Sequence, residues 1–160
     1  MSKLLFLFLI GSLNFISATA QIKFSTKFFK VTEATVQSWS AGANRQSDKN
    51  QSGFIYQIKV TVTKANQSKF DSLIVDGNLL SVEIVKGSER NYTGSFSKGD
   101  QVIVLARTEN STPNKKASAK LSAAIAKKKE QGFLSYRIKG KPCLFPISKF
   151  TEASDQMKNQ

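Results

Sequence analysis

Six lysines crowd the stretch between positions 115 and 129: Lys115, Lys116, Lys120, Lys127, Lys128 and Lys129. Arg137, Lys139 and Lys141 follow closely. Cationic groups at this density suit one kind of chemistry, holding a polyanion through many weak, salt-screened contacts. The candidate surface is therefore Lys116, Lys120, Lys127, Lys128, Lys129, Arg137, Lys139 and Lys141. An acidic glycan or lipopolysaccharide fits that chemistry, and a protein partner stays open beside them. Nothing marks specific nucleic-acid recognition. The ordinary fate of a charge run is a solvated face, and excess charge alone also keeps a protein soluble.

Other chemistries are short of parts. The chain contains no histidine, so the commonest general base and the commonest transition-metal ligand are both missing. Cys143 is the single cysteine, so neither an intramolecular disulfide nor a thiolate zinc site can form. It lies between Pro142 and Leu144 in an apolar segment and reads as a buried, inert thiol. Asp71, Asp76 and Asp100 sit beside turns, where aspartate serves the backbone. No nucleophile elbow, phosphate-cradling glycine loop or calcium-loop spacing is present. The expectation is a protein that is not an enzyme, with no catalytic residues, metal or cofactor. A hydrolase would require converging carboxylates that a sequence cannot display.

Trp39 is the lone tryptophan, at the mouth of a polar loop from Ser40 to Gly53. It could stack on a sugar or anchor a protein partner, or simply cover the end of the core. Asn50, Asn66, Asn91 and Asn110 each open an N-x-Ser/Thr sequon, which matters only in a host that glycosylates asparagine.

The elements that must position these groups are mostly strands. From Phe54 to Thr63 the residues Tyr56, Ile58, Val60 and Val62 share one face, the period of a half-buried strand. Phe70–Val75 and Leu80–Ile84, joined through Asp76-Gly77-Asn78, read as a hairpin. Tyr92–Phe96 is a weaker strand, and Gln101–Arg107 is apolar enough for burial on both faces. Phe133–Ile138 and Leu144–Phe150 complete the set, with Pro146 placing the last strand at an edge or bulge. Between Ile22 and Ser38 the apolar phase slips near Phe28-Phe29, as a bulge or two abutting strands would produce. Residues 118–131 break the pattern. They are rich in Ala and Lys, with Leu121 and Ile125 four apart, and predict a short helix or a basic loop docked on the sheet. If helical, the stretch brings Lys120 and Lys127 near one another, with Lys116 beside them.

Seven to nine short strands predict an all-β domain, an antiparallel β-sandwich of immunoglobulin-like kind, with a small β-barrel as the alternative. Lys3, the apolar run Leu4–Ile10 and Ala18-Thr19-Ala20 form the pattern of a secretory signal peptide over 1–20. Its removal takes Lys3 from 24 basic side chains against 11 acidic ones and leaves a net +12. The domain then covers 21–152, followed by a flexible tail over 153–160. Localisation is exported, either periplasmic or extracellular, with no transmembrane segment in the mature chain.

Further features carry a resemblance: Val60-Thr61-Val62-Thr63-Lys64, Phe70-Asp71-Ser72-Leu73-Ile74-Val75-Asp76-Gly77, Lys98-Gly99-Asp100, and Gly140-Lys141-Pro142-Cys143-Leu144-Phe145. From Gly53 onward the chain resembles small secreted proteins of Gram-negative bacteria. Gln21 after the cleavage site is similar to the start of such exported chains. The resemblance implies an immunoglobulin-like domain in the envelope or outside the cell, and it implies no activity. The leading expectation is a secreted or periplasmic binding or structural domain that contacts a polyanionic envelope component through lysines. The alternative is a subunit or inhibitor that pairs with a protein through an edge strand, near Pro146 or Phe28.

Overall fold

The computed structural model describes residues 22–40, 52–109 and 114–153. The expected signal peptide over 1–20, Asn50, Asn110, most of the polar loop after Ser40 and the tail beyond Ala153 lie outside them. Among the described residues the chain forms eleven strands and one helix. Seven strands have seven residues or more: β2 (Phe29–Ser40), β3 (Ser52–Val62), β4 (Ser68–Val75), β5 (Asn78–Lys86), β7 (Gln101–Arg107), β9 (Gly132–Ile138) and β10 (Lys141–Ile147). Four have only two residues: β1 (Lys23–Phe24), β6 (Glu89–Arg90), β8 (Lys115–Lys116) and β11 (Thr151–Glu152). The helix α1 spans Ala119–Ile125.

The strands make one curled sheet in the order β1-β10-β9-β4-β5-β7-β3-β2-β11, a half-barrel of all-β class. Its pairings are antiparallel except at the rims. β1 pairs parallel with β10 and β11 parallel with β2, so the sheet is mixed where a wholly antiparallel one was expected. The turn before β5 explains much of the local order. Asp76 and Gly77 both take positive φ (49° and 72°), which is the two-residue type I′ turn that matches strand twist. β5 then changes neighbours. It pairs with β4 up to Ser72↔Ser81 and with β7 from Val82↔Ala106, and this switch lets one sheet curl over itself.

The inner faces of the two halves meet in one core. Ile58, Leu73, Val104 and Tyr136 have no exposed surface at all. Each such aliphatic side chain contributes about 1.5–3 kcal/mol by leaving water. Phe29 lies at the centre, with Phe70, Tyr136 and Phe96 rings 5.0, 5.3 and 6.2 Å away. The Tyr136 hydroxyl donates to the Ser25 carbonyl at 3.1 Å, so its polar end is not orphaned.

The slip near Phe28-Phe29 corresponds to the passage between β1, at one end of the sheet order, and β2, next to last at the other. A second irregularity follows between Val31 and Glu33. The last long strand is Lys141–Ile147, three residues earlier than expected, because Lys139 and Gly140 make the preceding turn with positive φ. Pro146 is on a free edge. The Leu144 carbonyl faces β1, accepting from Ser25 N at 2.9 Å, and Pro146 shares its parity beyond the end of β1.

Tyr92–Phe96 is not a strand. Phe96 makes a single bridge with Asn66, and Tyr92 folds back so that its hydroxyl donates to the Ser95 carbonyl at 2.7 Å. In β7 the inward Val102, Val104 and Ala106 are buried, whereas Ile103 and Leu105 stay half-buried on the outer face.

Candidate functional site

Between Lys115 and Lys141 the chain carries nine basic side chains and one acidic one, Glu130. This segment builds β8, α1, β9 and the start of β10, and so dresses the outer face of one half of the sheet. A seven-residue helix is too short to persist alone, so docking must hold it. Leu121 and Ile125 supply the docking, packing on Ile74, Phe133 and Leu144 together with Phe24 and Leu79. Ser118 caps the start, its side chain accepting from Leu121 N at 3.3 Å. The expected helix is thus present, but it ends at Ile125. Lys127 falls in the turn beyond the Ala126 cap and Lys128 N donates to the Ile125 carbonyl at 2.9 Å.

Lys127, Lys128 and Lys129 are all exposed on this face. The Lys128 ammonium stands 4.8 Å over the ring of Phe24, which itself meets Phe133 edge-on at 5.9 Å. An aromatic face attracts a cation without neutralising it, so the charge remains available. Glu130 turns one carboxylate oxygen inward, where it has no hydrogen-bond partner.

The remaining candidates spread along the sheet. Lys116 belongs to β8, not to the helix, and its ammonium donates to Asn78 Oδ1 at 2.8 Å beside the Asp76-Gly77 turn. That is the end where β9 begins, since Val75 pairs with Gly132. Lys139 and Lys141 lie at the other end of β9, where Ile138 pairs with Lys141. A seven-residue strand separates the two ends by roughly 20 Å. Lys116 is therefore well separated from Lys139 and Lys141. Arg137 is engaged already, its Nε 2.9 Å from Asp71 Oδ2. Lys120 projects from α1 and is exposed. The geometry is a band with Lys127–Lys129 near its middle.

Trp39 lies on the outer face of the opposite half of the sheet, not over an end of the core. Its indole N–H donates to the Thr108 carbonyl at 3.1 Å, and the Arg107 guanidinium sits 3.5 Å over its ring. The ring crosses Gly53, where an added Cβ would stand 2.9 Å from the indole nitrogen and 2.0 Å from the Thr108 oxygen. One face and the polar edge of the indole are thereby occupied.

Asp100 and Glu83 have structural partners. Asp100 meets Lys86 at 2.6 Å and accepts from Ser97 N at 2.8 Å. Lys86, then the Ser97 amide, hold the Asp100 carboxyl below its ordinary range, and Asp100 in turn raises the Lys86 ammonium. Glu83 grips Arg90 through two bonds of 2.6 and 3.0 Å, which lowers the Glu83 pKa and raises that of Arg90. Burial pushes the Tyr56 and Tyr136 hydroxyls up. Among the described residues no three His, Cys, Asp or Glu side chains gather as a metal site would require. Cys143 is buried.

The Lys86–Asp100–Tyr92 group escaped the sequence reading. Its only advance signal was that Lys86 and Asp100 each border a glycine turn, and distant turns give no hint of meeting. The fold and band define a small all-β half-barrel with one basic face. Compared with known protein families, curated proteins and solved structures, the chain matches none.

Proposed function

We propose that the protein is an exported, non-enzymatic domain that binds a polyanionic envelope component, an acidic glycan or lipopolysaccharide, through its basic face. The observation that carries this reading is the imbalance between Lys115 and Lys141, with Lys127, Lys128 and Lys129 exposed and the Lys128 ammonium over the Phe24 ring. Export rests on the pattern of residues 1–20 and predicts that the mature protein starts at Gln21, which N-terminal sequencing checks. No described helix is long and apolar enough to cross a membrane. The immunoglobulin-like sandwich is the finer architectural reading, supported by the opposed inner faces of β4-β9-β10 and β2-β3-β7.

Salt elution from immobilised heparin and from lipopolysaccharide tests the function. The 21–160 chain is expected to need well above physiological salt, and K127Q/K128Q/K129Q to elute markedly earlier. Elution at low salt, unchanged by the triple substitution, would sink the proposal.

A second reading has its own observation. The edges of β2 and β10 face each other across the open seam of the half-barrel, around a groove lined by Phe29, Val31, Ala34, Phe145 and Ile147. Such edges recruit partners by main-chain pairing. Recovery of the exported protein always alone would count against it.

A further inference from the structure

The switch of β5 from β4 to β7 leaves a V between the two halves of the sheet. One arm is the start of β4, which stays with β9 from Ser68 onward, and the other is β5 from Val82. The segment after β6 closes the wide end. Tyr92 N donates to the Ile84 carbonyl at 2.9 Å, and Phe96 and Asn66 exchange two backbone bonds of 2.9 Å. The groove so enclosed measures about 590 Å³, within the range of small-molecule sites, and is lined by Ser68, Phe70, Val82, Ile84, Tyr92 and Phe96.

Two features separate it from a surface dent. First, its wall is braced against collapse. The Tyr92 ring lies on Gly94, where a Cβ would stand 2.4 Å from the hydroxyl. The Lys86 ammonium sits 4.7 Å over the same ring while paired with Asp100. A gap held open by such contacts is preorganised, and preorganisation lowers the cost of binding. Second, an unpaired polar group lies within the groove wall. Ser68 shares the inward parity of Phe70 and is only 6% exposed, yet its hydroxyl has no hydrogen-bond partner. Buried hydroxyls are nearly always paired, and an exception calls for an explanation. Serine χ1 has three staggered wells, so this hydroxyl can turn toward a bound group.

We propose that the groove is a binding site for a small, mainly apolar molecule carrying one hydrogen-bonding group, such as an aromatic amine. The polar group pairs with Ser68 Oγ, and the apolar body lies against Phe70, Val82, Ile84 and Phe96. The site is independent of the lysine band, which lies on the outer face.

Titration of the 21–160 chain with N-phenyl-1-naphthylamine, an apolar aromatic amine with one N–H, tests this by probe fluorescence and amide NMR shifts. Saturable one-site binding is expected, with the largest shifts at Ser68, Phe70, Val82, Ile84 and Phe96. Val82→Trp, which fills the groove, should weaken binding at least tenfold, and Ser68→Ala several-fold. K127Q/K128Q/K129Q should leave it unchanged, so failure of the polyanion reading and failure of this one are told apart. Absence of saturable binding, shifts centred on the β2–β10 seam, or unaltered affinity in both groove variants would overturn the proposal. Should Val82→Trp fail to fold, the shift map of the parent chain still decides.

Discussion

The two outer faces of the half-barrel handle positive charge in opposite ways. On the face of β2, β3, β5 and β7, Lys59 meets Glu33 at 2.8 Å, Arg90 is clasped by Glu83, and Arg107 lies on Trp39. On the face of β4, β9 and β10, nine basic residues share the segment with one acid, and Lys128 rests on Phe24. The same side-chain chemistry therefore makes a locally balanced surface on one side and a field on the other. Exposed ion pairs add little to stability, so the pairing of the first face chiefly cancels charge. On the second face Arg137 meets Asp71, but the bases outnumber the acids, and that excess makes the charges additive toward a polyanion.

The strongest way to break the contrast is to remove what holds the basic segment in place. Phe133 is 4% exposed and lies beneath α1 beside Ile74 and Leu144. Phe133→Ala should cost about 3–5 kcal/mol of stability, the usual range for a large aromatic core truncation. The measurement is denaturant unfolding, and a loss below ~1 kcal/mol would mean that the helix and its lysines are not docked as described. Trp39→Ala, on the half-exposed indole of the other face, should cost less.

Next in size is the charge itself. Each lysine near an anionic surface contributes about 1 kcal/mol, so K127Q/K128Q/K129Q should lose roughly 3 kcal/mol of polyanion affinity, about a hundredfold at low salt. Lys59→Gln on the balanced face should change it little. Equal losses from the two faces, measured by heparin binding at several salt concentrations, would show that net charge alone decides. A smaller slope of affinity against salt for the triple variant only would sharpen the contrast.

Acid tests the Lys86–Asp100 pair. The Asp100 carboxyl is lowered from its ordinary 3.8, so its contribution is present above that value and fades as pH falls through the lowered one. Lys86 is raised above 10.5, so its contribution holds below that value and fades as pH rises through the raised one. Thermal unfolding of Asp100→Asn should therefore fall short of the parent by a constant margin from pH 7 to about 5, with the gap closing below 3.8. A gap that persisted at the lowest pH would assign Asp100 a role other than its ion pair.

Much of this contrast could be read in the residues, and the unread part has one cause. Alternation in Phe54–Thr63 and Gln101–Arg107 placed β3 and β7 because period two reports which side chains share a face. Leu121 and Ile125 announced the docked helix for the same reason. Neither pattern names a neighbour. That β5 leaves β4 at Ser81 for β7, that Lys116 pairs across to Asn78, and that Arg137 finds Asp71 all depend on strand partners distant in sequence. The lysines were visible as a run. Their layout as a band, with Lys116 and Lys139 at opposite ends of β9, was not, since the length of β9 separates groups that composition counts together.

The smallest expected effect lies at that far end and separates charge from strain. Lys139 has φ 50° and Gly140 φ 75°, a type I′ turn like Asp76-Gly77 at the other end of the sheet. A lysine in this left-handed region costs about 1 kcal/mol that asparagine largely avoids, because a short polar side chain tolerates it. Lys139→Asn should therefore raise stability by a few tenths to 1 kcal/mol, read from the denaturant midpoint, while removing one charge from the edge of the band. Its effect on heparin retention should be small beside that of Lys128→Gln, because Lys128 has two lysine neighbours in sequence and Lys139 lies at the end of the band. If instead Lys139→Asn weakened retention as much as Lys128→Gln, the band would have no centre, and the anion would be held along the whole length of β9.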